Sequence, residues 1–177
     1  MAHEQSQPSA WFVSHAHLVP AGATLLDVAC GYGRHAKYFA ERGARVTAVD
    51  RDAAALASFA DVSNITAELR DLENDAWPYG ADSFDAVIVC NYLWRPTLAT
   101  LLDCIRPGGV LLYETFMDGN EKFGKPSRPD FLLRSDELIA HVSRDFEIVE
   151  FAQGPEHTAD GEICAMKQKI AAVKRGT

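Results

Sequence analysis

The sequence has no long apolar stretch. Its longest apolar runs, such as residues 85–90 and 110–113, fall far short of the ~20 residues that a membrane-spanning helix needs. The first residues show no charged segment followed by an apolar one, so the chain reads as soluble, unexported and cytoplasmic. Cysteine is sparse and scattered. Cys30, Cys90, Cys104 and Cys164 stand singly, which argues against a disulfide framework and against a zinc site and favours free thiols in a reducing compartment. Positive charge is also scarce: 17 Lys and Arg against 25 Asp and Glu leave a formal charge of −8. Sequence-independent nucleic-acid binding draws its affinity from phosphate neutralisation by Lys and Arg, so that class is disfavoured. The one basic cluster, Lys167, Lys169, Lys174 and Arg175, reads as a solvated strand face. His15 and His17 are two residues apart and so lie on different helix faces, which gives no metal site. No repeat or low-complexity tract is visible.

What is present is the composition of one packed domain, 1–177, with 47% hydrophobic and 24% charged residues in 177. Strand and helix patterns alternate, which implies a parallel sheet with crossover helices. A short helix is expected over 9–17, then a nearly continuous apolar strand over 24–29. A helix over 31–42 ends at Gly43. A strand at 45–49 and a helix at 52–60 capped by Asp52 follow. Residues 65–69 and 84–90 read as strands three and four, 96–105 as a helix, and 110–115, opened by Pro107-Gly108-Gly109, as strand five. Ser135 is placed to cap a final helix, and 146–152 and 163–173 read as an antiparallel hairpin at the sheet edge.

The chemistry concentrates at strand ends. The first strand runs into Asp27-Val28-Ala29-Cys30-Gly31-Tyr32-Gly33, a glycine turn that lets a ligand approach backbone which a Cβ would block. With Ala36 this satisfies a G-x-G-x-x-A fingerprint, and Asp50, about 20 residues on, is where an acid binds ribose hydroxyls. A dinucleotide cofactor therefore fits the spacing. Asp27 argues against it, because a carboxylate beside the turn would face the pyrophosphate. S-adenosylmethionine carries an ammonium and a sulfonium instead. Asp71, just after strand three, is placed to accept from the exocyclic amine of adenine, with Leu72 against the ring.

In these segments the sequence resembles the class I S-adenosylmethionine-dependent methyltransferases. Leu26-Asp27-Val28-Ala29-Cys30-Gly31-Tyr32-Gly33 is similar to their first motif, Val46-Thr47-Ala48-Val49-Asp50 to the second and Arg70-Asp71-Leu72 to the adenine-contacting segment. Phe84-Asp85-Ala86-Val87-Ile88-Val89 resembles the fourth strand, and Leu101-Leu102 through Arg106-Pro107-Gly108-Gly109 the helix and turn before the fifth. Among subfamilies the small tellurite-resistance-type, TehB-like, methyltransferases resemble it most. The resemblance implies a Rossmann-like α/β fold with a seven-stranded, mostly parallel sheet in the order 3-2-1-4-5-7-6, one strand antiparallel, and residues 1–20 as a helical segment over the cofactor site. It implies S-adenosylmethionine as cofactor, with Asp27, Ala29, Gly31, Gly33, Asp50, Arg51, Asp71, Leu72 and Cys90 around it. Tyr92, Arg95 and Glu114 fall on the acceptor side. The implied reaction is in-line displacement at the sulfonium methyl.

A general base is required only if the acceptor must lose a proton; Tyr92, Tyr113, Glu114 and His35 are the candidates, and none stands out. Asn91-Tyr92-Leu93-Trp94 lacks the two prolines of the Asn/Asp-Pro-Pro-Tyr segment of amino-methylating nucleic-acid enzymes. No large insertion offers a substrate domain, so a small-molecule acceptor is expected, a thiol or a chalcogen oxyanion among them. A non-catalytic cofactor-binding protein and an NAD(P)-dependent oxidoreductase are the competing readings. Residues 116–134, which contain Gly119, Gly124, Pro126 and Pro129, are expected to form a lid over the acceptor, with Phe123 and Phe131 as its apolar surface.

Overall fold

A computed structural model describes residues 7–176, and its frame is a seven-stranded sheet in the order β3-β2-β1-β4-β5-β7-β6. The strands are β1 (Thr24–Val28), β2 (Arg45–Asp50), β3 (Ile65–Leu69), β4 (Phe84–Cys90), β5 (Ile105–Phe116), β6 (Phe146–His157) and β7 (Ile163–Lys174). β1 to β5 are parallel, and β7 runs antiparallel to both β5 and β6. The expected order and the single antiparallel strand are both present. Val87, Ile88 and Val89 in β4 are completely buried, as a parallel strand covered on both faces must be.

Among the described residues five α-helices cover the sheet: α1 (Ala10–His15), α2 (Arg34–Glu41), α3 (Ala53–Ala57), α4 (Arg95–Asp103) and α5 (Glu137–Val142). Strand alternation sorts their contacts into two layers. Leu26, Val28, Val87, Val89, Leu111 and Tyr113 face α4 and α5, meeting Leu98, Leu101, Leu138 and Val142. Leu25, Ala48, Ala86, Ile88, Leu112 and Ala171 face the other way, onto Trp11 and Phe12 of α1 and onto Ala36, Phe39 and Leu56. Phe12 has no exposed surface, and burying a side chain of that size contributes roughly 1.5–3 kcal/mol. The six-residue α1 is therefore held by packing rather than by its own propensity. Ser9 caps it by accepting from the Trp11 N–H, and the Trp11 indole donates to the Ile170 carbonyl at 3.2 Å.

Some boundaries differ from the expected ones. α2 begins at Arg34 rather than residue 31, because Gly31 and Gly33 both have positive φ and the helix can start only after them. Asp136, in a left-handed conformation and bound by Gln153, occupies the N-cap of α5 in place of Ser135. Residues 116–134 contain two short 3-10 turns, Asn120–Lys122 and Pro129–Phe131, and a parallel bridge between Met117 and Leu133. The basic cluster is not one solvated face. Lys174 donates to carbonyls at the end of α4, Arg175 to carbonyls of Ser143 and Arg144, and Lys169 pairs with Glu156. Lys167 and Lys169 share the face of β7 that meets α1. Among the described residues no helix is long and apolar enough to cross a membrane.

Candidate functional site

β1 has β2 on one side and β4 on the other, so the connections leaving β1 and β4 part in opposite directions and open a cleft at their C-terminal ends. Two non-glycine residues there are held at positive φ, Ala29 just after β1 (φ 54°) and Asn91 just after β4 (φ 56°). Such positions cost on the order of 1–3 kcal/mol each and gather where a ligand is received. At Gly31 (φ 54°) a Cβ would meet nothing within 4 Å, so this backbone is bare toward the cleft. At Gly33 (φ 73°) a Cβ would come within 2.8 Å of the Phe59 ring, so glycine is needed there for packing as well as for φ.

The cleft has two hollows that share Ala29. The larger, about 790 Å³, is lined by Asp27, Cys30, Gly31, Tyr32, Arg34, His35, Lys37, Cys90, Asn91 and Lys167. Its size is that of a small-molecule site. The smaller, about 160 Å³, is lined by Asp50, Arg51, Arg70, Asp71, Leu72, Glu73 and Tyr92. The larger hollow thus sets three cations around a single acid, and the smaller sets three acids beside two arginines.

Asp27 is 2% exposed, and its Oδ2 has no hydrogen-bond partner. Burial pushes its carboxyl up to about 8, while the Ala36 N–H and Arg34 pull the other way and Asp50 adds repulsion. An orphaned buried carboxyl oxygen costs free energy until a donor or cation reaches it. Asp50 accepts from the Gly31 N–H at 2.8 Å through Oδ2 and from the Asp52 N–H at 2.9 Å through Oδ1. Each of its oxygens keeps a further lone pair for another donor. Asp71 is held below the usual carboxylate range by the Asn74 side chain first and then by the Glu73 N–H. Burial opposes ionisation of Glu114, but Lys167, Ser9 and the Cys90 thiol outweigh it and hold the carboxyl down. Burial and the Arg34 charge push His35 down to about 4; its Nε2 accepts from the Ser9 N–H at 3.0 Å. Burial, followed by Glu114, pushes the Cys90 thiol up to about 12, which leaves it a small neutral group.

The expected cofactor-side residues Asp27, Ala29, Gly31, Asp50, Arg51, Asp71, Leu72 and Cys90 all line one hollow or the other. Gly33 lies behind the turn. The three acceptor-side residues separate. Glu114 sits beneath the floor of the larger hollow against Cys90, but Tyr92 lines the acidic hollow, with its hydroxyl buried and unpartnered. Arg95 does not reach the cleft. Its guanidinium grips both carboxylate oxygens of Glu137 at 2.6 and 2.8 Å and the carbonyls of Asp130 and Leu132. The expected lid likewise lines neither hollow. Asn120 is buried, donates to the Pro126 carbonyl and accepts from the Met166 N–H, which ties the segment to β7. Arg34, Lys37 and Lys167 were not anticipated as cleft residues. For Arg34 and Lys37 the signal was available, since the first turn of the helix after a glycine turn faces the ligand. Lys167 is brought in by the antiparallel return of β7, which spacing along the chain does not reveal.

A family model described as a methyltransferase domain matches residues 25–109, the span from β1 to the turn inside β5. Two curated relatives are both malonyl-[acyl-carrier protein] O-methyltransferases. The one from Salmonella typhimurium is 37% identical over 105 residues, covering 55% of this chain and 41% of the relative. The one from Pectobacterium atrosepticum is 29% identical over 171 residues, covering 89% of this chain and 64% of the relative. The chain therefore spans less than two thirds of the length of either. Among solved structures, TehB from Haemophilus influenzae superposes with a TM-score of 0.73 at 18% identity, over 93% of this chain and 61% of TehB, which is a likeness of fold.

Proposed function

We propose that the chain is a class I S-adenosylmethionine-dependent methyltransferase, a reading supported by the methyltransferase-domain match over residues 25–109, and that it transfers the cofactor's methyl group to a small-molecule acceptor held at the tips of β4, β5 and β7. The observation that carries this reading is the buried, unpartnered Oδ2 of Asp27 beside a glycine turn. A pyrophosphate offers this oxygen neither a donor nor a cation, whereas an amino-acid ammonium would satisfy it and favour the ionised carboxyl.

S-adenosylmethionine supplies a methyl group on a sulfonium that is already a good leaving group. The chain's own residues bind and orient. Asp27 would hold the ammonium, and Arg34 and Lys37, one turn apart on α2, would take the carboxylate. The free lone pairs of Asp50 would accept from the ribose hydroxyls. Asp71 and Leu72 would meet the adenine in the acidic hollow, whose negative charge suits an exocyclic amine. Cys90, neutral and half-buried, would add no charge at the centre of the cleft, and Asn91 at the β4 tip would present polar groups to the acceptor. A thiol or a chalcogen oxyanion is the narrower acceptor class within this reading.

The test is incubation with methyl-labelled S-adenosylmethionine and a panel of thiols, carboxylates and chalcogen oxyanions. Labelled product is expected from at least one class. Binding of S-adenosylhomocysteine without labelled product from any class would overturn the catalytic reading in favour of a cofactor-binding protein without turnover.

A further inference from the structure

The smaller hollow contains a buried proton donor that no group of the protein receives. Tyr92 follows the tip of β4, and its hydroxyl is shielded from solvent and has no partner among the described residues. The backbone around it is pinned from two sides. The Asn91 N–H donates to the Glu114 carbonyl at 2.9 Å, and the buried Tyr113 hydroxyl donates to the Tyr92 carbonyl at 2.7 Å. Tyr92 also packs against the core layer that contains Leu72, Leu93 and Tyr113. Its hydroxyl is therefore held in place before any ligand arrives.

The charges that this hydroxyl feels show which way it faces. Burial first, then Glu73 and Asp71, push its ionisation above the ordinary tyrosine value, with Arg51 opposing and Asp50 adding to the push. All four charged residues line the smaller hollow. Glu73 and Asp71 act on it more strongly than Asp50 does, which sets it toward the adenine end of the hollow rather than the ribose end. The phenol stays protonated at neutral pH and can donate. The nearby carboxylates do not take that proton: Asp71 accepts from Asn74 and the Glu73 N–H, and Asp50 from the Gly31 and Asp52 N–H groups. A donor so placed is satisfied only by a ligand that brings a lone pair.

Adenine carries such lone pairs on its ring nitrogens, beside the exocyclic amine assigned above to Asp71. We propose that Tyr92 is a specificity-determining residue for the cofactor, its hydroxyl donating to a ring nitrogen of the adenine while Asp71 accepts from the amine. This rests on the methyl-transfer reading and moves Tyr92 from the acceptor side of the cleft to the cofactor side. The two residues read different parts of one base. A 6-oxo purine would turn a carbonyl toward Asp71, and a base lacking the ring nitrogen would leave the Tyr92 hydroxyl orphaned.

The test is calorimetric titration of wild type and Tyr92→Phe with S-adenosylhomocysteine and with its 1-deaza, 3-deaza and 7-deaza adenine analogues. Tyr92→Phe is expected to bind S-adenosylhomocysteine about tenfold more weakly. One analogue should lose a similar factor with wild type and nothing further with the variant, which identifies the nitrogen that accepts. The ligand-free variant should unfold at the same temperature as wild type or higher, because phenylalanine removes a buried hydroxyl that had no partner. Unchanged affinity in Tyr92→Phe, or a loss of the same size for all four ligands, as a ring needed only for packing would give, would overturn the proposal. Failure of the wild-type protein to bind S-adenosylhomocysteine would instead overturn the methyl-transfer reading beneath it.

Discussion

Replacing Asp27 with Asn should make the protein's stability less sensitive to pH, and the size of the effect follows from burial. The carboxyl ionises near 3.8 when solvated and is pushed up to about 8 in the fold. A folded-state value above the unfolded one means that the native state retains the proton longer. Stability is therefore fully present below about pH 4 and is lost as pH rises toward 8. At 1.36 kcal/mol per pH unit, wild type should lose roughly 3 kcal/mol between pH 5 and pH 7 relative to Asp27→Asn. Other titrating groups cancel in that difference, and so does any constant penalty for the buried amide. Urea unfolding of both proteins at the two pH values measures it. The same chemistry has a signature on the ligand side: at pH 7 the free carboxyl is mostly protonated, so pairing it with an ammonium should release close to one proton per S-adenosylhomocysteine bound. Calorimetry in buffers of different ionisation enthalpy reports that release. Parallel pH profiles for wild type and Asp27→Asn, together with proton-neutral binding, would refute the argument.

Arg95→Ala should destabilise the fold by about 2–3 kcal/mol, since it leaves Glu137 and two carbonyls without their donor, while S-adenosylhomocysteine affinity stays unchanged; thermal unfolding and calorimetry separate the two effects. Asn120→Ala should cost about 1–3 kcal/mol by removing two buried hydrogen bonds, again with cofactor affinity intact, as measured by urea unfolding. Asp71→Ala should weaken S-adenosylhomocysteine binding less than Asp50→Ala does, because Asp71 lies at the cleft surface and its carboxylate also holds its own turn.

The first four strands were legible in the sequence to within a residue, whereas β5 begins at Ile105, five residues before its expected start, because residues 105–109 join the strand through an irregular pairing with β4. β3 and β4 match their expected bounds because alternation or a continuous apolar run ends abruptly at a turn. The acids at the tips of β1, β2 and β3 were legible for the same reason: in a parallel sheet every strand ends on the same edge, so position along the chain gives position in space. That logic fails after β5. There the chain returns antiparallel, and Lys167, fifty residues beyond Met117, comes back beside the β5 tip through pairing that no local pattern encodes. Arg95 was misleading in the same way. From sequence it stands just beyond the β4 tip, but Glu137, 42 residues away, draws its guanidinium off the cleft. The segment 116–134 has the glycines and prolines of a lid, yet the Asn120 hydrogen bonds to Pro126 and Met166 fasten it beside β7.

The central claim is that this cleft binds the methyltransferase cofactor through the acids at its strand ends, and titration of the purified protein with S-adenosylhomocysteine, beside Asp50→Ala, tests it most directly. The account predicts one site per chain in the wild type and an affinity weaker by about 1.5–3 kcal/mol in a folded Asp50→Ala variant, the scale of hydrogen bonds lost from a charged group. Absence of binding at millimolar ligand, or the same affinity in both proteins, would contradict it.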